Sequence, residues 1–189
     1  VKIHGGYLWY ASNELKADRD IVLQAVRSDG VALSIASKEL KDDREVVLEA
    51  LKENGMSLEH ASPSLRADKE IVLAAVKSGG FALNYASTDL QADREVVLEA
   101  VKSMGNALEY ASDDLKADRE IVLEAVTKNP SSHFALYYAA DALKGDREIV
   151  LAAVKSCDMA IQYASDDLKA DKEIVIAARG SIYSSLKHA

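Results

Sequence analysis

An aspartate opens a nearly identical block at Asp18, Asp43, Asp68, Asp93, Asp118, Asp146 and Asp171. Successive blocks lie 25, 25, 25, 25, 28 and 25 residues apart. A fixed period of that size is the mark of a solenoid or stacked array. Such scaffolds bind other macromolecules far more often than they do chemistry, so function is expected on a surface.

Counting each period from its Asp as position 0 shows why the block is helical. Asp is a strong N-cap, because its carboxylate accepts N–H groups that the first turn leaves without partners. Position 2 is acidic in every period, as at Glu45, Glu70 and Glu120. A carboxylate there suits the positive end of the helix dipole. Positions 3, 4, 5, 7 and 8 are apolar almost throughout, as in Ile121, Val122, Leu123, Ala125 and Val126. That stripe is wide enough to touch neighbours on two sides. Position 9 is usually basic (Arg27, Lys52, Lys77, Lys102, Lys155), which suits a helix C-terminus. Gly30, Gly55, Gly80 and Gly105 fill position 12 and read as helix stops. A first helix is therefore predicted from about position 1 to about position 10.

The second half of the period repeats Ala at 14, Leu at 15, Ala at 18 and Leu at 22, again a helical face. A second helix is predicted over roughly positions 13 to 19. Position 17 is aromatic or large: Tyr10, Ile35, His60, Tyr85, Tyr110, Tyr138 and Tyr163. Ser at 19, followed by acids at 20 and 21, reads as a second cap opening one short extra turn.

No window alternates with period two for long, and Ala, Glu, Lys and Leu are helix formers. Helices this short cannot bury their stripes alone, so stacking must stabilise them. The expected fold is all-α, a right-handed-type α-solenoid of about six to seven short helix-turn-helix repeats. Residues 1–189 are read as a single array. It has a partial repeat at 1–17, full repeats starting at 18, 43, 68, 93, 118 and 146, and a C-terminal cap repeat at 171–189. Arg179 replaces the core Val of position 8 there, which suits a terminal repeat facing water. The irregular spacing falls at Asn129-Pro130-Ser131-Ser132-His133, an expected protruding loop. Val1 is not an initiator methionine, which points to a fragment, a processed form or part of something longer.

The pattern Ala-Leu-x-Tyr-Ala-Ser-x-x-Leu-Lys-x-Asp-Arg-Glu-Ile-Val-Leu-x-Ala-Val-Lys resembles a repeat family of about 25-residue units, catalogued as a domain of unknown function. The resemblance covers about residues 7–178. It implies no activity, cofactor or functional residues that could be carried over.

Composition narrows the partner. The net charge is −8, with lysines and arginines interleaved among carboxylates. Nucleic-acid binding rests on phosphate neutralisation by basic residues, so that footprint is missing. No apolar run reaches the ~18 residues of a membrane span. Cys157 is the only cysteine, so no internal disulfide forms, which fits an intracellular, reducing compartment.

No catalytic, cofactor or metal site is expected. The repeated serines and His60 are spread over a periodic lattice, whereas a triad needs one converging site. Asp113, Asp114 and Asp118, like Asp166, Asp167 and Asp171, lack a Ca²⁺-loop spacing and read as caps. The basic column Arg19, Arg44, Lys69, Arg94, Arg119, Arg147 and Lys172 reads as a solvated inter-repeat ion-pair network rather than an anion grip. Cys157 stands in the loop between the two helices with nothing beside it to activate the thiol.

What varies is positions 13 and 16. A framework position repeats its residue type, while a position read by a partner differs from repeat to repeat. Trp and Tyr are common interface anchors. The candidate protein-binding residues are therefore Trp9, Tyr10, Glu59, Asn84, Glu109, Tyr137 and Gln162, with Pro130 and His133 at the insertion. The expected function is a non-catalytic protein–protein interaction scaffold. The alternative is a structural or accessory subunit docked permanently in a large multi-protein assembly.

Overall fold

The computed structural model describes residues 5–127 and 133–178, in two compact units, Val1–Ala100 and Val101–Ala189. The insertion residues Asn129 to Ser132, and Arg179, lie outside the described residues. Every described element is helical.

In the first unit each period forms three pieces. A long helix follows the Asp: Arg19–Ser28, Arg44–Glu53, Lys69–Ser78 and Arg94–Ser103, the last running across the division between the units. A six-residue 3-10 helix comes next: Gly5–Tyr10, Gly30–Ile35, Gly55–His60 and Gly80–Tyr85. A single turn closes the period: Asn13–Lys16, Leu40–Asp42, Pro63–Arg66 and Thr88–Gln91. The long helices pack side by side in chain order, and so do the 3-10 segments. Each of Arg44–Glu53 and Lys69–Ser78 touches both its own 3-10 segment and the one before it.

The second unit repeats this plan. Its long helices are Arg119–Thr127, Arg147–Ser156 and residues 172–178. The 3-10 segments are Gly105–Tyr110 and Asp158–Tyr163, and the single turns are Asp113–Lys116, Asp141–Lys144 and Asp166–Lys169. Between them stands an α-helix, His133–Tyr138, where the other periods have 3-10 geometry. The period that carries the three extra residues is the one that relaxes to the wider helix.

The first helix runs from position 1 to position 10, as its cap and stripe predict. Asp43 Oδ1 accepts from the N–H groups of Glu45 and Val46 at 3.0 and 3.1 Å, and Asp68, Asp93, Asp118, Asp146 and Asp171 repeat the pattern. The second helix differs from expectation. It is 3-10 in most periods and ends at position 17. Residues three apart eclipse each other in a 3-10 helix. Positions 12, 15 and 18 (Gly30, Leu33, Ala36) thus share one edge and are buried, while positions 13 and 16 share another.

The glycines at position 12 also act differently from the expected helix stop. No described residue has positive φ. The long helices end one residue earlier, at Asp29, Asn54 and Gly79, all in extended backbone. The Asp29 and Asn54 side chains accept from the N–H of Val31 and Met56, capping the next segment. At Gly30 and Gly55 the next period leaves no room for a side chain. A Cβ on Gly30 would sit 2.5 Å from the Ala50 carbonyl oxygen, and one on Gly55 closer still to that of Ala75. A Cβ on Gly79 would meet nothing within 4 Å.

Burial follows positions 3, 4, 7 and 8: Val46, Val47, Ala50 and Leu51 are buried, and Ile71, Val72, Ala75 and Val76 likewise. The expected core Leu at position 5 is only half-buried at Leu48, Leu73 and Leu98, because it lies at the margin of the stripe. A backbone ladder joins successive periods. Ser37, Ser62 and Ser87 donate N–H to the carbonyls of Lys16, Lys41 and Arg66, each at 2.9 Å. Ala140 and Ser165 do the same to Lys116 and Lys144 in the second unit.

Two expectations follow for urea unfolding. Gly55→Ala should destabilise by about 1–3 kcal/mol, because backbone must move aside. Gly79→Ala should be neutral or stabilising by up to about 1 kcal/mol, since it only narrows the unfolded ensemble. Equal effects would show that position 12 is not a close approach. In the same assay Leu83→Ala, fully buried, should cost about 2–5 kcal/mol. Leu98→Ala should cost clearly less.

Candidate interaction surface

The long-helix face is a repeated electrostatic lattice. Arg19 bridges Asp43 through Nε at 2.8 Å and also pairs with Glu45. Arg44 pairs with Asp68 and Glu70, and Lys69 with Asp93 and Glu95 at 2.8 and 2.9 Å. In the second unit Arg119 pairs with Asp146 and Glu148, and Arg147 with Asp171 and Glu173. The basic column is the inter-repeat ion-pair network that the sequence predicts. Each aspartate divides its two oxygens: one caps its own helix, the other takes the cation of the preceding period. These pairs are solvent-exposed, so each contributes little to stability.

The shared role lowers the aspartate pKa values. For Asp43 and Asp146 the main cause is the hydrogen bond from Arg19 and Arg119. For Asp68 and Asp93 partial burial is the largest single effect and pushes upward. It is outweighed at Asp68 by the Ile71 N–H and Arg44, and at Asp93 by Lys69 and the Val96 N–H. For Asp171 the main cause is the Ile174 N–H.

A second edge, formed by positions 13 and 16, carries the variable residues. In the first unit Val31 and Met56 are exposed at position 13, and Trp9, Glu59 and Asn84 at position 16; Tyr10, at position 17, is exposed as well. In the second unit Glu109, Tyr137 and Gln162 are exposed at position 16, and Phe134 and Met159 at position 13. The structure therefore lines up Glu59 with Asn84, and Glu109, Tyr137 and Gln162 with one another, on the edge of each unit. Pro130 lies outside the described residues, and His133 is described only as the first residue of its helix.

Two of the candidate contacts also serve the framework. Tyr85 stands close enough to the Glu59 carboxylate of the preceding period to feel its charge, and Tyr138 to that of Glu109. Burial, reinforced by Glu109, pushes the Tyr138 hydroxyl up to about 12. Burial, and then the Glu59 charge, raise Tyr85. His60 holds the same column, where burial lowers its pKa against the pull of Glu59.

An aromatic cluster in the second unit goes beyond the single-residue reading of Tyr137. The Tyr137 ring lies 5.1 Å from Tyr138, 5.2 Å from Tyr163 and 6.5 Å from Phe134, in edge-on arrangements. Phe134 and Tyr163 lie 5.9 Å apart. Lys144 Nζ stands 5.9 Å above the Tyr137 ring. That Phe134 and Tyr137 occupy the two variable columns of one period was visible in the sequence. The approach of Tyr163 from the next period was not.

Several serines at position 19 act as caps: the hydroxyls of Ser37, Ser62 and Ser87 accept from Leu40, Leu65 and Leu90, whereas those of Ser112 and Ser165 cap no helix. Cys157 ends a long helix half-buried, with Sγ 3.9 Å from Asp158 Oδ1. Among the described residues no group of three His, Cys, Asp or Glu side chains could hold a metal ion. Among them, too, no helix is long and apolar enough to cross a membrane.

A repeated helical framework with a constant ion-pair face and a variable edge is an all-α repeat solenoid by class. Within that class the chain belongs to the family described as a domain of unknown function, DUF4116, which matches residues 1–41, 43–91, 93–145 and 146–178. The segments 43–91 and 93–145 each take in two of the periods. Comparison with curated proteins and with solved structures finds no match.

The lowered aspartates set an acid limit. Their folded carboxyls hold protons more weakly than the unfolded chain does. Their stabilisation is therefore complete above the ordinary Asp value of about 4 and lost as pH falls through the lower folded values. The urea midpoint should stay level from pH 7 to about 5, then fall steadily below about 4. Arg19→Gln should make that fall shallower, since Asp43 then titrates nearer its ordinary value. An unchanged acid profile would remove the ion pair from the account.

Proposed function

We propose that the chain is a non-catalytic scaffold that binds another protein along the exposed edge of its 3-10 segments. One observation carries this reading. Positions 13 and 16 are held in register by a fixed framework, yet change from Val31 to Met56 to Phe134, and from Glu59 to Asn84 to Tyr137. The long-helix face repeats the same Arg–Asp–Glu arrangement and carries little information that differs between periods. Among the described residues Ser37, Ser62 and Ser87 are taken up in capping short turns, and His60 stands near Glu59 and Lys41. The acidic balance favours protein over nucleic acid as the partner.

Site-specific photo-crosslinking tests this. A benzophenone side chain placed at Met56 or Tyr137 should form adducts with a protein partner in extracts of the source cells. One placed at the exposed Glu70 of the long-helix face should not. Adducts confined to Glu70 would overturn the proposal.

A further inference from the structure

We propose that the outer edge of the second unit docks a basic peptide segment carrying an apolar side chain. Phe134, Tyr137, Tyr163 and Met159 would hold the apolar group, and Asp141 and Asp166 the positive charges. This rests on the scaffold reading and adds the chemistry of the partner.

The apolar half of the site is assembled before any partner arrives. Tyr137 meets three other rings edge-on, and those rings come from two successive periods. Yet Phe134, Tyr137 and Met159 remain 41%, 52% and 56% exposed. Grouped exposed apolar side chains on one edge mark an interaction site more than scattered ones do. Rings that already fix one another lose little freedom on binding, and aromatic anchors dominate binding energies.

The charge beside the rings decides which peptide fits. Lys144 lies over Tyr137 and bridges Asp141 at 2.9 Å, which brings a carboxylate to the margin of the cluster. The neighbouring turns repeat the arrangement with Lys116–Asp113 at 3.9 Å and Lys169–Asp166 at 3.3 Å. The carboxylates of Asp113, Asp141 and Asp166 are fully exposed. Asp114 and Asp167 add two more, so five carboxylates stand on these turns against three ammonium groups. An acidic segment is repelled there, while a basic one is steered in. A lysine or arginine of the partner can also take the place of Lys144 on the Tyr137 face. At position 16 the first unit carries Trp9 at its start and then Ser34, Glu59 and Asn84, whereas in the second unit the ring of Tyr137 stands within a group of rings from two periods.

Fluorescence anisotropy with the full chain tests the inference, using three labelled twelve-residue peptides. One is lysine- and arginine-rich with a central leucine, the second has alanine for that leucine, and the third has glutamate for the basic residues. The first should bind saturably, the second about tenfold more weakly, and the third not at all. Tyr137→Ala and Met159→Ala should each weaken the first by about tenfold. The pair Asp141→Asn and Asp166→Asn should flatten its salt dependence. All four positions are solvent-facing, so an unchanged circular dichroism spectrum verifies that the variants fold. Tighter binding of the acidic peptide, or basic-peptide binding indifferent to Tyr137→Ala, overturns the inference. No binding of any peptide, with a partner still crosslinked from Met56, sinks this inference alone. No binding and no crosslink from either edge position sinks the scaffold reading with it.

Discussion

Every period depends on its neighbours to cover its valines. Val46, Val47, Ala50 and Leu51 occupy so wide an arc of one ten-residue helix that no single partner helix could enclose them. The helix is instead covered by the long helices on either side, its own 3-10 segment and the one before it. An isolated helix of that length is marginal in water. Stacking supplies what propensity cannot, and it demands that each period present the same surface on both sides. The 25-residue period is the sequence record of that demand.

Close stacking needs devices that fix the register, and three recur. At Gly30 and Gly55 the Ala50 and Ala75 carbonyls approach too closely for a side chain. The N–H at position 19 reaches the preceding turn at 2.9 Å. The Asp that opens each helix also receives the cation of the period before it. The last device couples secondary to tertiary structure, because one carboxylate satisfies a helix end and marks where the previous period must lie. With these positions constrained, freedom to vary is left to the edge that the 3-10 geometry turns outward.

That edge is not wholly free of framework duties. Glu59 and Glu109 each stand beside the Tyr of the next period, so two of the most variable-looking positions also border the framework column. Tyr137 goes further and joins rings from its own and the following period. A site made in this way is assembled by neighbouring periods, and its composition can change one period at a time. For a binding scaffold this separates affinity, which the edge residues set, from stability, which the buried stripes set.

The spacing of the aspartates, the apolar stripe and the caps made the long helix and its approximate ends legible, because caps and stripes are local. The ion-pair network was legible for a related reason: a constant basic column beside a constant acidic one has few other uses. Three features were not. The glycines looked like helix stops, since only the distance to the next period's carbonyl reveals that a Cβ has no room. Leu98 looked like core, since the stripe's margin depends on how far the neighbouring helix reaches. The aromatic cluster looked like a lone Tyr137, since Tyr163 is brought to it from a separate period. The sequence by itself determined the repeat, its helical elements and the identity of its edge columns. Tertiary structure decided the 3-10 geometry, the close approach at glycine and the grouping of the rings, because each depends on distances between residues about 25 positions apart that no local rule encodes.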